Sequence, residues 1–206
     1  DARDDGSRAN LGLRWARHDP SGWTIETLAG RVFRRDGYPA FDPANPQVLG
    51  QQRSNWLLAG QISSAQGVVF GLRLLIDDNR RLNRGETSLR WNTGATALAT
   101  SYVHLPANAF EGRPANRAEW HFDVSHRFDS GWAGRFGWDY DAALGELRTA
   151  RTGLEFRNEC LQVDLSLSHR FASSTNVRRS TSFNLRVDLL GIGGTRATST
   201  GRACRT

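Results

Sequence analysis

The sequence predicts an all-β fold, an antiparallel transmembrane β-barrel, and three observations lead to this prediction. Apolar and polar residues alternate with a period of two in segments of about 9–11 residues, the length with which a tilted strand crosses a bilayer. The connections between these segments alternate between tight turns and longer loops. The hydrophobic share is only 38%, and no apolar run is long enough for a membrane-spanning helix. A barrel accounts for this composition, because only every second strand residue faces lipid.

Eleven segments carry the alternation. They cover residues 8–17, 21–34, 54–63, 67–77, 84–92, 95–105, 117–129, 132–142, 147–157, 160–171 and 181–190. In the first segment, Leu11 and Leu13 lie on one predicted face and Arg14 lies on the other. The longest stretch without a period, residues 37–53, contains three prolines and is predicted to be a loop.

The middle and closing segments have the most polar faces. Their apolar faces carry Trp120, Phe122, Val124, Phe136, Trp138, Tyr140, Leu161, Val163, Leu165, Leu167, Phe183, Leu185, Val187 and Leu189. The opposite faces carry His121, Asp123, Ser125, Arg127, Arg135, Asp139, Asp141, Gln162, Asp164, Ser166, Ser182, Asn184, Arg186 and Asp188. Such a division is typical of strands that separate lipid from a polar lumen.

The connection lengths predict an orientation in the membrane. The connections at 19–21, 64–66, 92–94, 129–131 and 157–159 are tight, whereas those at 36–53, 78–83, 106–116, 142–146 and 172–180 are longer or at least no shorter. Outer-membrane barrels have short periplasmic turns and longer outside loops. The tail after residue 190 is therefore predicted to be periplasmic.

The strand count and the missing methionine indicate an incomplete barrel. Bacterial single-chain barrels have even strand numbers, whereas eleven segments are found in a chain of 206 residues that begins at Asp1 and contains no methionine. We expect residues 1–190 to form part of a larger barrel and residues 191–206 to form a tail. A complete barrel of ten or twelve strands, acting as a diffusion channel, is the alternative.

The last quarter of the chain resembles a known family. Residues 148–163 contain a glycine, an apolar residue, Glu155, an aromatic residue, a short polar turn and Cys160 in that order. Apolar and polar residues alternate over residues 165–171. They alternate again from residue 182 until the closing Leu-Gly-Ile-Gly at 190–193. Together they resemble the C-terminal end of the LptD (OstA) family of lipopolysaccharide-assembly outer-membrane proteins, in the form found in α-proteobacteria. The other segments agree with this family in general character.

The resemblance implies a function in the outer membrane of a Gram-negative cell. The family's barrel, plugged by a lipoprotein, receives lipopolysaccharide from a periplasmic bridge protein and releases it among the outer-membrane lipids. No enzymatic activity and no cofactor are implied. Because the first and last strands of this barrel part as a lateral gate, residues 181–190 would form one lip. The polar side chains of that lip are Ser182, Asn184, Arg186 and Asp188.

The resemblance also gives the two cysteines a role. Family members form disulfides between a periplasmic turn near the C-terminus and the periplasmic domain, and Cys160 ends a turn that the connection lengths also assign to the periplasm. Cys204 lies about 14 residues after the last segment, which an extended tail can span. An intrachain bond between Cys160 and Cys204, disulfides to another part of the protein, and free thiols remain open.

All 27 basic residues are arginines, against 21 acidic residues, for a net charge of +6. Guanidinium groups bind phosphate in two-point fashion, so Arg127, Arg135 and Arg186, with Asp139 and Asp164 on the same face, are candidates for the lipopolysaccharide path. The alternative is that arginines and carboxylates pair with one another across the lumen. Nucleic-acid binding is a poor explanation, because the arginines are dispersed over many segments.

The sequence is a poor match to two other kinds of site, a lipid hydrolase and a metal centre. A lipid hydrolase would need a nucleophile, a base and an orienting group, and His121, Asp123 and Ser125 share one face of one segment. Residues i to i+4 of a strand spread over about 13 Å, however, which is too far for a triad. The five histidines are scattered and the two cysteines are far apart, so no metal site is predicted.

Overall fold

The computed structural model describes residues 7–35, 53–109, 113–171 and 178–190, and within them it contains eleven β-strands. The strands are β1 Arg8–His18, β2 Thr24–Arg34, β3 Trp56–Ser63, β4 Val68–Ile76, β5 Leu82–Asn92, β6 Thr96–Leu105, β7 Arg117–Arg127, β8 Trp132–Asp141, β9 Glu146–Arg157, β10 Leu161–Arg170 and β11 Ser180–Leu189. Each predicted segment corresponds to one strand, and most bounds agree within three residues.

The eleven strands form one antiparallel sheet in which every strand pairs with its neighbours in the sequence. The order runs from β1 to β11 without a crossover, so β1 and β11 are the two edges of the described sheet. The prediction of an all-β, antiparallel fold is confirmed, and the open meander is consistent with the wall of a β-barrel. No helix in the described part of the chain is long and apolar enough to cross a membrane.

Between β7 and β8 the register places apolar side chains opposite apolar side chains. Trp120 of β7 lies opposite Tyr140 of β8, and Phe122 lies opposite Trp138, against which its ring stacks at 5.7 Å. Such cross-strand aromatic pairs stabilise a sheet, because residues directly opposite each other are in contact. The predicted division into an apolar and a polar face therefore continues from β7 to β8, whereas it is mixed between β1 and β2, where Leu28 lies opposite Arg14.

The described part of the chain has almost no hydrophobic core. Ala118 is its only buried hydrophobic residue, whereas Leu13 is 74% exposed and Phe183 is 67% exposed. A water-soluble sandwich would cover such side chains with a second sheet, because exposing them costs free energy. An apolar face that remains uncovered along the whole sheet is the property of a wall that lies against lipid.

Tight turns join the strands at one end of the sheet, called here the turn end. Gly67 and Gly131 are examples, with φ angles of +81° and +80° that favour glycine. Each also lies against the end of the next strand, since a Cβ atom on Gly131 would be 2.5 Å from the Arg157 carbonyl oxygen. The other end, called here the loop end, has the longer connections, except that only residues 142–145 join β8 to β9.

Two of the predicted boundaries that differ from the structure have a cause in the backbone. β2 begins at Thr24 rather than at residue 21, because Asp19 accepts hydrogen bonds from the backbone of Ser21 and Gly22 and so prolongs the turn. β5 begins at Leu82 rather than at residue 84, because the pairing with β4 shifts register next to Ile76. Both differences arise from backbone hydrogen bonds that side-chain periodicity does not encode.

Candidate functional site

The polar face of β7, β8 and β9 carries a network of charged side chains. The Nδ1 atom of His121 lies 2.6 Å from Asp139, and its Nε2 atom contacts Asp123. Arg151 reaches the same two carboxylates, at 2.8 Å from Asp139 and 3.9 Å from Asp123. Three strands are therefore tied together by one ionic cluster on the lumen side.

Two glycines allow side chains to bridge across an intervening strand. Arg135 of β8 lies over Gly153 of β9 and donates a hydrogen bond to Asp164 of β10. Gly137 of β8 lies in register between Asp123 of β7 and Arg151 of β9. A Cβ atom on Gly137 would lie 2.2 Å from an Asp123 carboxylate oxygen. Glycine is needed at both positions because a side chain passes directly over the backbone.

Ion pairs continue on the polar face of the earlier strands. Arg14 of β1 pairs with Glu26 of β2 at 3.0 Å. Glu86 of β5 pairs with Arg73 of β4 at 3.3 Å and with Arg84 of its own strand at 2.6 Å. These pairs are partly exposed, so each contributes no more than about 1 kcal/mol. The polar face is thus a lattice of arginines and carboxylates, as the alternative interpretation of the arginines anticipated.

Four of the candidates for the lipopolysaccharide path take part in this lattice or in the turns. Arg135 and Asp164 bond to each other, and Asp139 belongs to the β7–β9 cluster. Arg127, at the end of β7, donates a hydrogen bond to the carbonyl of Gly94 in a neighbouring turn. Their role in transport stays a prediction, since these contacts are with other residues of the protein and not with lipopolysaccharide.

The last strand has few polar links to its neighbour. Arg186 and Asp188 pair with each other at 2.8 Å within β11, although the register puts Arg186 opposite Asp164. Asp164 instead bonds to Arg135, two strands away. The side-chain hydrogen bond between β10 and β11 joins His169 and Thr181 at 2.7 Å. The predicted lip residues Ser182 and Asn184 lie opposite Ser168 and Ser166.

Cys160 lies in the turn between β9 and β10. Its amide donates to the Asn158 side chain at 2.9 Å, and its carbonyl accepts a 2.8 Å hydrogen bond from the amide of Leu190. The chain that leaves β11 therefore starts beside this cysteine. No free cysteine is found in the described part of the chain, and Cys204, with the rest of the predicted tail at 191–206, lies outside the described residues.

The residues considered for a hydrolase do not form a triad. Both ring nitrogens of His121 contact carboxylates, so neither is directed to a serine. Ser125 lies opposite Arg135 of β8 and Ala97 of β6. Within the described ranges, no group of three or more His, Cys, Asp or Glu residues is arranged to hold a metal ion.

Sequence reasoning missed how unevenly charge is distributed between the two ends of the sheet. The connections and the strand-terminal residues of the described loop end contain eleven arginines and four carboxylates, whereas those of the turn end contain two arginines and three carboxylates. The loop-end arginines are Arg8, Arg34, Arg35, Arg53, Arg80, Arg81, Arg113, Arg117, Arg170, Arg178 and Arg179. Sorting charges by strand end, rather than by face, would have found this signal.

A further arginine, Arg31 inside β2, is fixed on the apolar face. The Arg31 guanidinium lies 5.5 Å from the centre of the Trp56 ring and donates two hydrogen bonds, of 2.7 and 2.8 Å, to the Asp78 carboxylate. Its Nε atom donates to the Ser54 carbonyl at 2.6 Å. These hydrogen bonds lower the pKa of the Asp78 carboxyl and attach the β4–β5 turn to β2 and β3.

The Arg31–Asp78 ion pair, called here the clamp, predicts a pH dependence at the β4–β5 turn. Because the pKa of Asp78 is lowered on folding, its stabilising effect is present above the ordinary aspartate pKa of about 3.9 and is lost as the pH falls through the lower folded value. We expect proteolysis at residues 77–81 to become faster in that acidic range. The variant Asp78→Asn should be cleaved quickly already at pH 7. Equal cleavage of the two proteins at pH 7 would contradict the clamp.

Comparison with known proteins gives one match. A model of the family described as LptD, LPS transport system D, matches residues 1–112, which is more than half of the chain. The matched region contains β1 to β6, whereas the resemblance seen in the sequence was sharpest over residues 148–193. No curated protein matches the chain.

Proposed function

Because the chain belongs to the LptD family, a family of lipopolysaccharide transport and assembly in the outer membrane, we propose that its last strand, β11, is one lip of a lateral gate for lipopolysaccharide. The single observation that carries this proposal is that, among the described residues, no ion pair joins β11 to β10, since the Arg186–Asp188 pair is internal to β11. The plug lipoprotein and the periplasmic bridge protein would be its partners in the same translocon. The α-proteobacterial type of the family stays a prediction.

The direction of the strands supports a barrel that is completed by other strands. β1 and β11 both run from the loop end to the turn end, because strand direction alternates along a meander and both strands have odd numbers. Direct pairing of these two edges would be parallel, whereas bacterial barrels are antiparallel with even strand numbers. Free edges cannot remain in lipid. A complete channel of ten or twelve antiparallel strands would need edge strands that run in opposite directions. The two edges of the described eleven-stranded sheet run in the same direction.

The attachment of β11 supports the gate. β7, β8, β9 and β10 are tied by ionic contacts that cross between strands, whereas β11 is held by backbone hydrogen bonds, apolar contacts and the His169–Thr181 bond. A strand without ionic links can separate from its neighbours at a lower free-energy cost. The apolar side chains of β11, such as Leu185 at 56% exposed, are among the most exposed of the sheet.

A photo-crosslinking experiment tests the gate. A benzophenone amino acid at Asn184, on the polar face of β11, should crosslink to lipopolysaccharide in the full-length translocon when the transport ATPase is active. The same group at Gln61, on the polar face of β3 and far from β11 in the strand order, is the matched control. We expect at least tenfold more crosslinking at residue 184. Equal yields at the two positions, or yields independent of ATP, would reject the gate.

We also propose that the turn end faces the periplasm, together with residues 191–206 and Cys160. The short turns support this orientation. The hydrogen bond from Leu190 to Cys160 supports an intrachain disulfide, since the tail begins next to this turn. Mass spectrometry of unreduced full-length protein is expected to yield one linked peptide pair that holds Cys160 and Cys204. A link from Cys160 to any other peptide would favour the disulfide between domains instead.

A further inference from the structure

The described loop end contains exposed arginines that have no ionic partner within the described residues. We propose that six of them, Arg80, Arg81, Arg117, Arg170, Arg178 and Arg179, called here the arginine belt, bind the phosphate groups of lipopolysaccharide at the outer-leaflet surface. This inference rests on the proposed function, because it places the loop end outside the cell. It adds a docking surface for the released lipid, separate from the gate itself.

The carboxylates that could neutralise the belt are mostly engaged elsewhere. Asp77 accepts a 2.7 Å hydrogen bond from the Arg81 amide, so it serves the turn backbone. Asp78 is held by Arg31, and Asp141 is held by Arg148 at 2.6 Å. The fourth carboxylate of the described loop end is Glu146, at the start of β9. Six exposed guanidinium groups therefore exceed the carboxylates left to balance them.

The backbone holds part of the belt in a defined position. In the β4–β5 turn, Asp77 donates its amide to the Arg81 carbonyl at 3.0 Å, and the Arg80 amide donates to the Asp77 carbonyl at 3.0 Å. Arg80 has a φ angle of 62°, and both arginine side chains are exposed. The Arg31 clamp on Asp78 holds the same turn against β2 and β3. A turn whose backbone is already held in place loses less conformational entropy on binding than a mobile turn does.

The spacing and chemistry of the belt fit a lipid with several phosphates. Consecutive connections at one end of a meander are two strands apart, about 10 Å, so arginines on adjacent connections can reach different phosphates of one head group. Guanidinium groups bind phosphate in two-point fashion, and a phosphomonoester carries about −1.5 to −2 charges near neutral pH. Lipopolysaccharide carries such phosphomonoesters, whereas a diacyl phospholipid such as phosphatidylglycerol carries one singly charged phosphodiester.

The opposite end of the sheet lacks this excess of cations. Its connections and strand-terminal residues contain Arg127 and Arg157 against Asp19, Asp129 and Glu159. Arg127 is already bonded to the Gly94 carbonyl. A polyanionic head group is therefore attracted to the loop end and not to the turn end, which favours its retention after it leaves the lumen.

Lipid-binding measurements test the belt without transport. The full-length protein with its plug lipoprotein is titrated in detergent, with no ATPase present, against lipid A that carries both phosphates. The variants R178Q/R179Q and R80Q/R81Q should each bind roughly fivefold more weakly per arginine removed. The matched control R90Q/R157Q, which removes two exposed arginines with no ion pair away from the loop end, should bind as wild type does. Each variant is first shown to give the heat-modifiable folded band.

Several outcomes would overturn the belt. Equal weakening in the control and the belt variants would mean that binding follows net charge alone. Undiminished binding by both belt variants, or equal binding of lipid A stripped of its phosphates, would mean that the belt does not bind phosphate. Equal binding of phosphatidylglycerol would mean that it does not select lipopolysaccharide. If lipopolysaccharide still crosslinks to residue 184 in any of these cases, only the belt is rejected. Failure to crosslink at residue 184 in a protein with an intact belt rejects the gate instead.

Discussion

Replacing Leu89 by arginine is expected to destabilise the barrel by about 2–4 kcal/mol, the cost of placing arginine on the lipid face near the bilayer centre. Leu89 lies near the middle of β5, on the apolar face, opposite Phe70 of β4 and Thr100 of β6. An arginine there has only acyl chains around it in the membrane. The measurement is urea unfolding of the full-length protein in lipid vesicles, together with the amount of folded protein in the outer membrane.

The adjacent residue supplies the matched control. Ser88 lies on the polar face, opposite Gly71 and Ser101, with Glu86 on the same face two residues away. Ser88→Arg therefore places the same charge in the lumen, where we expect stability to change by no more than about 0.5 kcal/mol. If the two variants lose equal stability, the apolar face of β5 does not lie against lipid.

Replacing Gly137 by alanine is expected to destabilise the protein by about 1–3 kcal/mol, as overpacking does elsewhere. The new methyl group would lie 2.2 Å from an oxygen of Asp123 and 3.0 Å from the Phe122 carbonyl oxygen. The Asp123 side chain would have to move away from His121 and Arg151. The loss of the cluster that joins β7, β8 and β9 should be detected as a lower urea midpoint.

A second glycine tests whether the effect is steric. Gly60 lies in β3, and a Cβ atom there would meet only the Glu26 carbonyl oxygen at 3.8 Å. Gly60→Ala is therefore expected to be neutral or stabilising by up to about 1 kcal/mol. Shortening the opposing side chain, in the double variant Gly137→Ala with Asp123→Ser, should restore part of the stability. No difference between the two alanine variants would contradict the close approach at Gly137.

Most of the fold could be predicted because each strand of a barrel wall can be recognised from the residues of its own segment. Alternation along 117–129 identifies both faces of β7 from one segment, since the side-chain period of a strand is two. Turn residues such as Gly67 and Gly131 indicate where strands end. The boundary at β5 was not predictable in the same way, because the register shift beside Ile76 depends on pairing with β4.

Less of the candidate site could be predicted. The polar face was evident, but not the partner of each charge. Arg186 lies opposite Asp164 in the register, yet it bonds to Asp188, while Arg135 reaches Asp164 over Gly153. A side chain that passes over a glycine to reach the next strand involves three neighbouring strands. It requires the register of β8, β9 and β10 together.

The amino-acid sequence was enough to predict the eleven strands of the described residues, with one apolar and one polar face, because alternation, strand length and turn residues act within a few residues of each other. The tertiary structure alone decided how that sheet is held together and how it is charged. It joins β7 to β10 by ionic contacts, leaves β11 with few, and gathers arginines from four distant connections at one end. These properties depend on which strands become neighbours, and neighbours are fixed only when the whole meander has formed.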